Sequence, residues 1–149
     1  MRSFKWLVGI FFKQMARSIT FTQANGQLII HNAKVMFELS THDNTEAARQ
    51  NLVLAVDDSY IEAVQNWESV IDPGRISSSL SQYGLRTKVS MPNVWRNGEL
   101  VDMPPIIRGR SVNVKISLSG VWHTKKQDGL CLLATDIEFL EEPEPTYPF

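Results

Sequence analysis

The chain predicts a mainly β domain with one or two short helices, and three observations carry that prediction. Val112, Val114, Ile116 and Leu118 alternate with Ser111, Asn113, Lys115, Ser117 and Ser119, the period of two of a strand with one buried and one wetted face. Lys125-Lys126-Gln127-Asp128-Gly129 follows as a turn, and Leu130 to Leu140 is apolar enough to be the returning strand of a hairpin. Upstream, Leu28–Leu39 and Leu52–Val56 are apolar runs of strand length, the first read as one long or bent strand. With 149 residues, 43% hydrophobic and 21% charged, the chain suits one domain able to bury a core.

Taken in order, the chain begins with an apolar run, Trp6–Phe12, flanked by Arg2, Lys5, Lys13 and Arg17. The run falls far short of the roughly 20 residues needed to span a bilayer. As a signal peptide it is interrupted early by Lys13 and Gln14, and its cleavage pattern is poor. The domain is therefore expected to start at Met15, with residues 1–14 as an N-terminal extension and no membrane partner. Asn25-Gly26 reads as a turn ahead of the first strand, and Ser40–Arg49 as a loop with a short helical turn from Thr45. After Leu52–Val56, Asp57-Asp58-Ser59 offers a helix cap. Tyr60, Ile61, Val64, Trp67, Val70 and Ile71 then recur at helical spacing, up to Asp72-Pro73-Gly74.

Ser77–Ser79 and Tyr83-Gly84 look like loop, Leu85–Met91 like a strand, and Pro92–Pro105 like a long excursion carrying Trp95 and Asn97-Gly98. Loops of that length in a small domain are usually functional or disordered. Gly120 permits a bulge or kink, and Gly129 is able to take a positive φ in the hairpin turn. Glu141–Phe149 holds three prolines and cannot continue a sheet, so it is expected to be a flexible acidic C-terminal tail. The division is 1–14, 15–140 and 141–149.

No phosphate-binding glycine loop, HExxH or paired CxxC is present, so no cofactor is implied. His31, His42 and His123 lack a metal-ligand spacing. The single Cys131 cannot form an internal disulfide and suits a buried, inert strand position, which points to a reducing, cytoplasmic setting. Asp57 and Asp58, with Asp43 and Glu46, are the only hint of a magnesium-dependent nuclease, and a helix cap explains the adjacent pair equally well. Nothing else points to an enzyme.

Charge is segregated. Residues 1–37 sum to +5, 38–72 to −7, 73–127 to +7 and 128–149 to −6, although the whole chain carries only −1. The +7 block interleaves rings with bases: Tyr83 with Arg86 and Lys88, Trp95 with Arg96, and Trp122 with Lys125 and Lys126. Cations follow the phosphates of a single strand and flat rings stack on its exposed bases, a combination a duplex cannot use. Trp95 and Trp122 suit the core equally well. The tail sets Glu141, Glu142 and Glu144 before Tyr147, Pro148 and Phe149, an acidic arm with an aromatic end that fits a partner's pocket.

Met91-Pro-Asn-Val-Trp-Arg-Asn-Gly-Glu99, Ile107-Arg-Gly-Arg-Ser-Val-Asn-Val-Lys-Ile116 and Gly129 through Ile137 resemble the C-terminal half of OB-fold single-stranded DNA-binding proteins of T7-like phages. The ending Pro148-Phe149 after acids resembles the tip of bacterial single-stranded DNA-binding proteins, whereas residues 1–14 depart from the pattern. The resemblance implies an OB-fold, a five-stranded Greek-key barrel whose open face binds oligonucleotides. It also implies a tail that recruits replication or recombination proteins and competes with DNA for the basic groove. The chain thus reads as a non-enzymatic, sequence-tolerant binder of single-stranded DNA in phage replication, recombination or repair, sited in the host cytoplasm. Homo-oligomerisation is compatible with this.

The expected DNA-binding residues are Tyr83, Arg86, Lys88, Trp95, Arg96, Arg108, Arg110, Lys115, Trp122, Lys125 and Lys126. Lys115 is favoured among the cations because alternation sets it on the polar strand face. The tail residues are the expected protein-binding set. The rival readings are a β-barrel or β-sandwich phage assembly protein and the small nuclease.

Overall fold

A computed structural model describes residues 20–41 and 50–140; the expectations for the N-terminal extension, the turn after Thr45 and the acidic tail lie outside the described residues. In chain order the elements are β1 (Thr20–Val35), β2 (Ser40–Thr41), β3 (Gln50–Ala55), α1 (Asp58–Glu68), β4 (Leu80–Ser81), β5 (Gly84–Val89), β6 (Asn93–Arg96), β7 (Glu99–Leu100), β8 (Ser111–His123) and β9 (Asp128–Phe139).

The alternating stretch is indeed the spine of the fold. β8 pairs antiparallel with β1 on one side and with β9 on the other. β1 passes on to β3, β3 to β5, and β5 closes onto β9 in parallel at Lys88–Leu133. The circuit β1-β3-β5-β9-β8 is the five-stranded Greek-key barrel of the OB-fold. β6 then follows β5 along the same side of β9, pairing Asn93 with Asp136 and Trp95 with Glu138, and β7 folds back on β6.

The barrel interior is made by the inward residue of each alternation. Ile30, Val35, Leu52, Leu54, Leu85, Val89, Val112, Val114, Ile116 and Ile137 are all buried. Thr87, buried on the inward face of β5, donates its hydroxyl to the Leu52 carbonyl at 2.9 Å, so that hydroxyl is paired. α1, inserted between β3 and β5, buries Val64 and sets Trp67 against Gly26, while the Tyr60 hydroxyl accepts the His31 N–H at 3.0 Å. Asp57 stands at the N-cap as expected, but its side chain makes no capping hydrogen bond. The buried carboxylate of Glu68 takes the Ser79 N–H and the Ser78 hydroxyl, tying the segment after the helix to it.

Three local readings are corrected. Asn25-Gly26 is not a turn: β1 runs through it with a register shift between Gln23 and Gly26, because β8 offers ladder partners on both sides. Gly129 is not left-handed; it is a strand residue opposite Trp122, where an added Cβ would lie 2.4 Å from the indole. The Pro92–Pro105 excursion contains β6 and β7, joined by Asn97 and Gly98 at φ 53° and 78°, the left-handed pair of a type I′ hairpin turn. Among the described residues no helix is long and apolar enough to cross a membrane, and no three metal-ligating side chains gather.

Candidate functional site

The outer face of β3 and β5 follows from their register. Leu52–Thr87 and Leu54–Leu85 are inward pairs, so Asn51–Lys88 and Val53–Arg86 face outward. On β1, Val35 pairs with Leu54 inside, which leaves Lys34 outside opposite Ala55. The Lys88 ammonium donates to the Asn51 side-chain oxygen and the Arg86 guanidinium to the Ser78 carbonyl. Past the end of β1, the Met36 N–H still bonds the Val53 carbonyl at 3.0 Å, so the chain hugs β3 as Phe37 emerges. Phe37 meets Tyr83 edge to face, centroids 5.4 Å apart at 78°. Both rings remain open to solvent, at 43% and 52% exposure. An exposed aromatic pair beside three cations offers base stacking and phosphate neutralisation in one place.

Below this face lies the β8–β9 turn with Lys125 and Lys126 exposed. Arg75 clamps it. Its guanidinium donates to Asp128 from Nε at 3.0 Å and from Nη2 at 3.1 Å, and reaches the carbonyls of Thr124 (2.8 Å) and Lys125 (3.4 Å). His123 bridges from Asp128 (3.0 Å) to the Thr22 hydroxyl (2.7 Å). The Arg75 guanidinium, opposed by partial burial and helped by His123, holds the Asp128 carboxyl below its ordinary value. Trp122 packs over Gly129 at the base of the same turn.

Above the face, β6 extends the line of Arg86 and Lys88 toward Trp95 and the exposed Arg96. Here the surroundings turn acidic. Trp95 donates its indole N–H to Asp136 at 3.2 Å, joined by Asn93 at 3.0 Å and the Thr135 hydroxyl at 3.0 Å. Burial works against ionisation of Asp136, yet these hydrogen bonds and Lys115 hold its pKa below the ordinary value. Lys115 does face outward as alternation requires, but Asp136 is its cross-strand partner. Asn113, next along that face, bonds Glu138 at 2.8 Å.

Arg108 and Arg110 sit at the end of the barrel opposite the Lys125–Lys126 turn, in the loop before β8. There the Glu38 carboxylate accepts the N–H groups of Ile107 (2.8 Å) and Arg108 (2.9 Å), and those two bonds lower its pKa. The Arg110 guanidinium covers the Phe139 ring at 5.0 Å.

Of the residues expected from sequence, the structure thus gathers Tyr83, Arg86 and Lys88, with Trp95 and Arg96 at one end of the track and Lys125 and Lys126 at the other. Lys115 shares Asp136 with Trp95 at the β6 end, and Arg108 and Arg110 stand apart at the far end of the barrel, so each of these three cations lies beside an acid or a ring. Lys34 and Phe37 were missed. Lys34 lies in the N-terminal charge block and Phe37 in a run that reads as plain strand, so only the register of β1 on β3 could reveal them.

No protein-family model matches this chain, and no curated protein matches it significantly. Among solved structures it is similar to a single-stranded DNA-binding protein from bacteriophage Enc34 in complex with ssDNA, with a TM-score of 0.54 and 13% identity over 80% of this chain and 89% of that chain. At that identity the likeness is one of architecture: this chain is a mainly β OB-fold barrel with one helix among its described residues.

Proposed function

We propose that the protein is a non-enzymatic, sequence-tolerant binder of single-stranded DNA, of phage type, serving replication, recombination or repair. The observation that carries this is the open Phe37–Tyr83 pair bordered by Lys34, Arg86 and Lys88 on the β3–β5 face. OB barrels take oligonucleotides on that face and between the loops at its ends. The fold neighbour, solved with ssDNA, supports the same reading. The strand would lie along the track, bases on the two rings and phosphates toward the cations, with Lys125 and Lys126 closing one end. Glu141, Glu142, Glu144 and the terminal Tyr147-Pro148-Phe149 would recruit partner proteins and compete with DNA for the cations.

The test is fluorescence anisotropy of a labelled dT oligomer against a duplex of equal length. Binding to the single strand alone is expected, and Tyr83→Ala is expected to cost about 1–3 kcal/mol, roughly 5- to 150-fold in affinity. Tyr83→Phe, which keeps the ring, is expected to bind like the wild type. No response to either nucleic acid at low salt would overturn the reading and favour an assembly role. Deleting residues 141–149 is expected to raise DNA affinity.

A further inference from the structure

Beside Tyr83 the surface opens into a cavity of about 370 Å³, between the end of β3, α1 and the β4–β5 turn. That lies at the small end of the roughly 300–1,000 Å³ typical of small-molecule sites. Val56, Ile61 and Leu80 line it with carbon, and Gln65 and Gln82, whose side chains end in carboxamides, are lining residues as well. The Ser81 hydroxyl, also at the cavity, is occupied within its own turn, accepting the Tyr83 N–H and donating to the Gly84 carbonyl, each at 3.2 Å. By contrast, neither glutamine side chain is hydrogen-bonded to another described residue. No charged side chain is among the described residues that line the cavity.

That chemistry selects its occupant. A phosphate needs cations, and an apolar side chain has no use for two carboxamides. A neutral, flat, hydrogen-bonding heterocycle uses both the carbon walls and the amide heads, each of which offers a donor and an acceptor. Tyr83 lines the cavity and also stands in the exposed ring pair, so the two places are continuous.

We propose that this cavity is a nucleobase subsite, in which the base next to the one stacked on Tyr83 turns inward and presents its edge to Gln65 and Gln82. The inference rests on the single-strand reading above and deepens it. The protein tolerates any sequence along the track but has a base preference at this one position.

The experiment compares the affinities of dT, dC and dA dodecamers for the full-length wild type and for Gln65→Ala/Gln82→Ala. Both glutamines are exposed, so the variant is expected to fold, and a matching thermal melt checks it. Stacking and phosphate contacts are common to both proteins, so only edge readout changes the ratio between oligomers. A good bidentate amide contact discriminates by about 5- to 150-fold. At this open site the wild-type ratio between best and worst oligomer is expected to change by about 5- to 10-fold in the double variant, toward equal binding.

The same ratios in both proteins, with the wild type binding well, would overturn the subsite alone. Failure of the wild type to bind any of the three oligomers would remove the subsite together with the reading beneath it.

Discussion

Salt dependence offers the sharpest check on which cations the strand touches. Each phosphate neutralised on single-stranded DNA releases condensed counterions and contributes a slope of about −0.7 to log K against log salt. Lys34, Arg86 and Lys88 on the barrel face and Lys125 and Lys126 on the turn would make five contacts, Arg96 being left out of the sum because Glu99 stands across the β6–β7 ladder from it. Their combined slope is about −3.5, so raising salt from roughly 50 to 200 mM is expected to weaken binding about 130-fold. Lys125→Gln/Lys126→Gln leaves three contacts, a slope of about −2.1 and a loss of about 20-fold over the same range.

Anisotropy titrations of a labelled dT oligomer at four salt concentrations measure both slopes. Lys115→Gln is the internal control, because Asp136 stands across the ladder from it and its removal is expected to leave the slope nearly unchanged. An unchanged slope in the turn variant would place the strand away from the β8–β9 turn. A reduced slope in Lys115→Gln would move the path onto β8 and refute the track along β3–β5.

Arg75→Ala is expected to weaken DNA binding in the wild type but to add nothing in the Lys125→Gln/Lys126→Gln background, because it acts by holding the turn's carbonyls. Additive losses in that double-mutant cycle would make Arg75 a phosphate contact itself. Asp128 and Glu38 have lowered pKa values, so they bind fewer protons folded than unfolded. Their contribution to stability is complete above the ordinary carboxylate range and is lost as pH falls through the lowered values. Melting temperature against pH is therefore expected to fall less steeply on the acid side in Asp128→Asn, and an unchanged profile would count against the clamp. Ile116→Ala, at a fully buried barrel position, is expected to cost about 2–5 kcal/mol in urea unfolding; a loss under about 1 would mean the barrel centre is not packed as described.

The β character, the β8–β9 hairpin and α1 were legible because each rests on a local period. Val112 to Leu118 can bury one face only as a strand, and Val64 and Trp67 share a face only on a helix. Asn97-Gly98 was legible only as part of a long excursion and not as the centre of a hairpin, because β6 and β7 are too short to show a period. Gly129 was legible as special for the wrong reason. Its φ is ordinary, and what forbids a side chain is the Trp122 indole supplied by the neighbouring strand.

The candidate site divides the same way. Interleaved bases and rings from Tyr83 onward, and a Lys115 that faces solvent, follow from composition and alternation, which are local properties. Which of these residues share a face is set by strand pairing in three dimensions. Register carried Lys34 on β1, and Phe37 just past its end, onto the face of Arg86 and Tyr83, and the bulge in β9 around Thr135 set Asp136 opposite Lys115. Partners across a ladder are distant in sequence. Whether a cation is open to phosphate or offset by an acid therefore depends on pairings that no local pattern encodes.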